Sequence, residues 1–257
     1  MRAFRALFGT LVAAQVAYSR LPERRLVGAT RGIVGLMLAT SLAEARGARR
    51  GAVQVAAAGG VGFGAELVGV ATGRPFGHYT YTDKLGPRVG GVPVLAAAAW
   101  AMMARPAWAV AGLVSRRRAA RVVLAAGALT AWDAFLDPRM AREGYWTWPD
   151  GGRYEGIPAS NFLGWFVTGL GVFALWGDDE PSDAALALYV WTWVGEGFAN
   201  AVIWRRPVTA AVGGTAMGAF AVPALVNRFV RPDDVSPGRR RKLRLWATSP
   251  PPDDVKR

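Results

Sequence analysis

The chain of 257 residues contains no cysteine. Disulfides, thiolate catalysis and cysteine-held metals are therefore outside its chemistry. It has a single histidine, His78. Membrane desaturases and di-iron hydroxylases need several histidine ligands, so that chemistry is excluded too. A P-loop, a nucleophile elbow with Ser/His/Asp partners, and a GxGxxG turn after a strand are also missing. No DDxxD cluster is present to hold a magnesium diphosphate, as membrane prenyl transfer would require. We expect no metal site and no cofactor. Acidic residues are scarce, 18 against 31 Lys and Arg, which leaves a formal charge of +13. The arginines cluster between apolar runs, and no soluble segment presents a basic face with interleaved aromatics. The charge reads as topological, and nucleic acid is not an expected partner.

What is abundant is apolar sequence, 52% of the chain, gathered into long runs at 27–42, 52–71, 122–136, 184–204 and 208–226. A helix needs about 17 to 25 residues to cross roughly 30 Å of hydrocarbon, and these runs are near that length or a few residues short. The pattern predicts an all-α fold: a polytopic transmembrane bundle of about eight helices, at 3–19, 26–43, 51–72, 91–114, 119–136, 160–176, 184–204 and 208–227. Arg2, Arg5, Ala14 and Ala17 give the N-terminus the form of a secretory signal. Seven further helices favour a first transmembrane helix instead. Arg105 and Pro106 interrupt the fourth run, which predicts a kinked or interfacial helix there. Residues 1–227 form the membrane domain, and 228–257 a basic, Pro-containing tail expected to be disordered and to adhere to anionic lipid. Gly60/Gly64 and Gly214/Gly218 have GxxxG spacing, which permits close helix approach or ordinary packing. With both termini cytoplasmic, the inner segments hold most of the Lys and Arg. The positive-inside rule thus predicts a multi-pass protein of the cell membrane in that orientation. The acidic run Asp178, Asp179 and Glu180 is expected to be a solvated turn.

Two segments combine polar groups, Gly, Pro and aromatics far beyond what a connector needs. The first includes Glu66, Gly69, Gly73, Pro75, Phe76, Gly77, His78, Tyr79, Tyr81, Asp83 and Gly86. The second includes Trp132, Asp133, Asp137, Pro138, Met140, Gly144, Trp146, Trp148, Tyr154, Gly156, Pro158, Asn161 and Trp165. Two helices separate the loops, so parity puts both on one membrane face. Glu66 lies about two turns before the first loop, and Asp133 and Asp137, four apart, share one face of the fifth helix. A carboxyl group in hydrocarbon faces a cavity, is paired, or keeps its proton, and a protonated acid is a general acid. Glu66 and Asp137 are the leading candidates, followed by Asp133 and His78. The alternatives are a structural hydrogen bond for Glu66, a helix-terminating turn for Asp137 before Pro138, and a local hydrogen bond for His78. Glu196, mid-helix among tryptophans, is a substrate-binding candidate or an internal polar bond. Trp146, Trp148 and Trp165 flank the second loop, and a pocket they line beside carboxyl groups suits an apolar polyene and a passing carbocation.

These residues, with Gly91, Val92 and Pro93 leading to Trp100, and with Phe162 and Gly164, resemble the carotenoid biosynthesis protein family. Its membrane carotenoid 1,2-hydratases are of the bisanhydrobacterioruberin and gamma-carotene hydratase type. The resemblance is firm from residue 66 to 165. It implies addition of water to the terminal C1=C2 bond of an acyclic carotenoid without a cofactor. The expected partners are the carotenoid from the lipid phase, water, membrane lipids and other carotenoid-biosynthesis enzymes. Glu66 or Asp137 would supply the proton, and the other carboxylate or His78 would orient water. Tyr79, Tyr81, Trp146, Trp148, Tyr154, Asn161 and Trp165 complete the candidate binding set. A non-catalytic carotenoid carrier, or an end-group cyclase working through the same cation, are the competing readings.

Overall fold

Backbone groups in hydrocarbon must find partners within their own segment, so the apolar runs resolve into helices. The computed structural model describes residues 1–230. Among them the α-helices are α1 Arg2–Tyr18, α2 Glu23–Ala45, α3 Gly51–Thr72, α4 Val94–Val114, α5 Arg118–Arg142, α6 Ala159–Ala174, α7 Asp183–Phe198 and α8 Pro207–Leu225. Short π-helical stretches, Ala199–Ile203 and Val226–Val230, prolong α7 and α8. The all-α bundle of eight helices is as expected. Five helices are long and apolar enough to cross a membrane: α2, α3, α4, α5, and α8 with its extension. With 16 residues, α6 is about 24 Å long at 1.5 Å per residue, shorter than a full bilayer core. The protein is a membrane protein. Of the tail expected from 228, the first three residues continue α8, and 231–257 lie outside the described residues.

The fourth helix is not interfacial but one of the five long, apolar helices. It runs unbroken with Pro106 inside, is buried along most of its length, and packs on α2, α3, α5, α7 and α8. Arg105 explains how a charge sits there. Its Nε and Nη2 bind the two carboxylate oxygens of Glu44 at 2.6 and 2.8 Å. Its Nη1 donates to Gln54 Oε1 and, at 3.1 Å, to Asp179. Asp179 also accepts from the Trp108 indole at 2.6 Å and from Arg121 at 3.2 Å. The acidic run is therefore not simply a solvated turn, because Asp179 folds inward to balance two buried arginines. A buried charge persists only where it is paired and hydrogen-bonded in this way.

The GxxxG reading also changes. A Cβ on Gly60, Gly64 or Gly214 would meet nothing within 4 Å, and only Gly218 of the four is close to a neighbour, the Trp193 ring. The tight crossing is made by Gly59 and Gly62. A Cβ on Gly62 would lie 2.1 Å from the Trp100 ring, and one on Gly59 would lie 3.2 Å from the Ala97 carbonyl. These glycines let α4 press against α3.

The loops at residues 73–93 and 143–158 meet each other directly. Strand β1 (Thr80–Tyr81) pairs antiparallel with β4 (Trp146–Thr147), with Tyr81 opposite Trp146. A second small ladder, β2 (Arg88–Val89) with β3 (Val92–Pro93), returns the first loop to α4. The shared face expected from parity is thus a physical contact.

Candidate active site

Glu66 is buried on α3 and accepts three hydrogen bonds. The Tyr79 and Tyr81 hydroxyls donate to its Oε2 at 2.5 and 2.9 Å, and the Trp100 indole donates to Oε1 at 3.1 Å. Each donor has a local cause. Gly62 admits the Trp100 ring to the α3 surface, as above. Gly73 takes a left-handed φ of 72°, which ends α3 and turns the chain back. Phe76 then anchors the loop in a slot where a Cβ on Gly164 or Gly69 would come within 2.5 and 2.7 Å of its ring. That anchor brings Tyr79 and Tyr81, two residues apart and on one side of an extended segment, over Glu66. Burial first, and then the nearby Glu66 carboxyl, push both phenols above the ordinary tyrosine range, so they remain donors.

Asp133 and Asp137, one turn apart on α5, are buried and share a donor. The Asn161 side-chain nitrogen on α6 binds Asp133 Oδ2 at 2.8 Å and also binds Asp137 Oδ2. Among the described residues no group donates to Asp133 Oδ1. The expected helix end at Asp137 does not occur, because α5 continues through Pro138 to Arg142. Proline leaves the carbonyl four residues earlier without its N–H. That carbonyl belongs to Ala134, and the Tyr154 hydroxyl donates to it at 2.7 Å.

A cavity of about 1020 Å³, measured out to its open mouth, lies between these groups. Glu66, Asp137, Glu196 and Asn161 line it, with walls of Phe76, Tyr79, Tyr81, Trp100, Trp132, Trp146, Trp148 and Trp165. Trp100 and Trp165 stack at 3.9 Å, Trp132 meets Trp165 edge-on at 6.1 Å, and Tyr81 meets Trp146 edge-on at 5.6 Å. Aromatic faces beside carboxyl groups are suited to holding an apolar chain and developing positive charge.

Most of the residues expected from sequence converge here, but not all. Asp133 stands behind Asp137 and does not line the cavity. Tyr154 also lies outside it, with its hydroxyl committed to α5. His78 is exposed, 3.7 Å from Asp150, and away from the cavity wall. Glu196 lines the cavity from α7 and meets Arg139 at 3.5 Å. Sequence reasoning missed the roles of Trp100, Trp132, Gln15 and Arg139. Trp100 is 34 residues from the carboxyl it binds, and only the paired glycines on α3 hint at that crossing.

A family model described as carotenoid biosynthesis protein matches residues 27–220, which includes both loops and every cavity-lining carboxyl. Bisanhydrobacterioruberin hydratase of Haloarcula japonica is 32% identical over 112 residues, or 42% of this chain. The match spans 38% of that relative's length. No solved structure matches.

Proposed function

The chain belongs to the carotenoid biosynthesis protein family, and on that premise we propose that it hydrates the terminal C1=C2 bond of an acyclic carotenoid end. The observation that carries the reading is the pair of carboxyl groups, Glu66 and Asp137, in the wall of one aromatic cavity. Two carboxyl groups converging on one amide, with no cation between them, are compatible when they share a proton. The Asp133/Asp137 pair is therefore the acid, with Asp137 as the member at the cavity. Glu66, accepting three hydrogen bonds, has the bonding of a carboxylate.

In this scheme Asp137 gives its proton to C2, the π bond breaks, and a tertiary cation forms at C1 beside Glu66 and the tryptophan faces. The oxygen of water bonds to C1 and its proton passes to Glu66. That proton returns to the aspartate pair, so no net acid is consumed and no cofactor takes part. The polyene enters from the lipid between helices, and water arrives from the face carrying the two loops. By the bias of Lys and Arg, that face is the outer one of the cell membrane, with both termini cytoplasmic.

The test is expression of the parent, Glu66→Gln and Asp137→Asn in a lycopene-producing host, with mass analysis of the pigments. The parent should add one water per reacted end. Each variant should lose about 10²-fold or more of that product, as for removal of a general acid or base. If both variants hydrate at the parental rate, the assignment is wrong. Bound but unchanged pigment from the parent would mark a carrier, and a product of unchanged mass with a new ring would mark a cyclase.

A further inference from the structure

A second chamber of about 890 Å³, measured out to its open mouth, adjoins the first, between α1 and the end of α7. Gln15, Ile33, Arg139, Thr192 and Glu196 line both, so the two are separated only by these side chains. The partition is polar. Arg139 bonds Glu143 at 3.2 Å, meets Glu196 Oε1 at 3.5 Å, and stacks over Tyr18 at 4.5 Å. Glu196 Oε2 is buried, and among the described residues no group donates to it. The far end of the chamber is bordered by Ser19, Arg20 and Ile203, all exposed and at helix ends on the face of the two loops.

From this arrangement we infer that the second chamber is the water route to the reacting carbon, with Glu196 and Arg139 as the residues that position water at its inner end. The inference rests on the hydration reading above. A tertiary cation has two fates: capture by water, or return of a proton to the acid. The hydration site therefore needs water delivered to C1 without flooding the apolar walls that hold the polyene. Glu196 Oε2 supplies a buried acceptor at the junction, and a carboxylate oxygen without a protein donor is a place where water is held. The first chamber is largely aromatic; in the second, Ser19 and Arg20 stand at the mouth and Gln15, Arg139, Thr192 and Glu196 at the junction, among apolar side chains that include Val16, Trp191, Phe198 and Trp204.

The position that tests this is Gly195, which lines only the second chamber. A Cβ there would meet the Trp191 ring at 3.7 Å, an ordinary contact, so Gly195→Ala fits and Gly195→Leu fills the chamber. Full-length protein in liposomes is incubated with lycopene in deuterium oxide, and both the alcohol and deuterium gained at C2 by recovered carotenoid are measured. In Gly195→Leu the alcohol should fall about tenfold or more, the effect of a barrier about 1.4 kcal/mol higher. Exchange into recovered carotenoid should persist, because the cation, lacking water, returns a proton to the aspartate pair. Gly195→Ala should keep the parental ratio of alcohol to exchange. Ile203→Trp at the exposed mouth should repeat the shift without altering the helix packing. The inference is overturned if Gly195→Leu forms alcohol at the parental rate. It is equally overturned if alcohol and exchange fall together, which would make the chamber a seat for the polyene itself. A parent that yields no alcohol at all overturns the hydration reading, and this route with it.

Discussion

Removing one hydroxyl from Glu66 tests whether its charge matters. Tyr79→Phe deletes the shorter of the two phenol bonds to Oε2, at 2.5 Å, and leaves Tyr81 at 2.9 Å and Trp100 at 3.1 Å. The ring itself keeps its contacts, edge-on to Phe76 at 6.1 Å and to Tyr81 at 5.5 Å, and tilted against Trp148 at 6.0 Å. A hydrogen bond to a charged group in a dry site contributes about 1.5–3 kcal/mol. If Glu66 must take up a proton at the position this bond fixes, the rate of alcohol formation falls roughly 10- to 150-fold. Single-turnover conversion in liposomes measures that rate, and a thermal melt confirms that the assay temperature lies below unfolding. The decisive comparison is a double-mutant cycle. In a Glu66→Gln background, Tyr79→Phe should cause little further loss, because the group it serves is already neutralised. A full additional loss in that background would refute the argument and leave Tyr79 as a packing residue.

Four further outcomes follow from the same geometry. Arg105→Met strands the Glu44 carboxylate in the bundle and should destabilise the protein by about 3–5 kcal/mol. Combining it with Glu44→Leu should recover much of that loss, read as the melting temperature of the single and double variants. Gly164→Ala places a methyl 2.5 Å from the Phe76 ring, costing about 1–3 kcal/mol and displacing the loop that delivers Tyr79 and Tyr81. Gly60→Ala, with open space around it, should leave stability unchanged or raise it by up to about 1 kcal/mol. Tyr154→Phe leaves the Ala134 carbonyl without a donor and should lower stability by about 1–3 kcal/mol. Its rate should change less than that of Tyr79→Phe, because its hydroxyl does not reach the cavity.

Each part of this molecule was legible in the sequence to the extent that its cause is local. The helix positions follow from apolar runs and the bonding demands of hydrocarbon, so 51–72 was expected and Gly51–Thr72 is observed. The common face of the two loops follows from counting helices, and the Tyr81–Trp146 pairing makes it a contact. Glu66 and Asp137 were conspicuous because a carboxyl group in such a run needs a reason. Where the cause is a partner on another helix, sequence was silent or misleading. Arg105 read as a flaw in α4 because its partners Glu44 and Asp179 lie 61 and 74 residues away. Pro138 read as a helix end because nothing nearby announces that Tyr154 will take over the orphaned Ala134 carbonyl. The acidic run read as solvent-exposed because its two arginines are buried in other helices. In each case a rule about a lone residue gave way to a bond that makes it a pair. The same logic bears on Glu196: its Oε1 has a partner in Arg139, its Oε2 has none among the described residues, and that asymmetry at the junction of two chambers makes it the place to look for water.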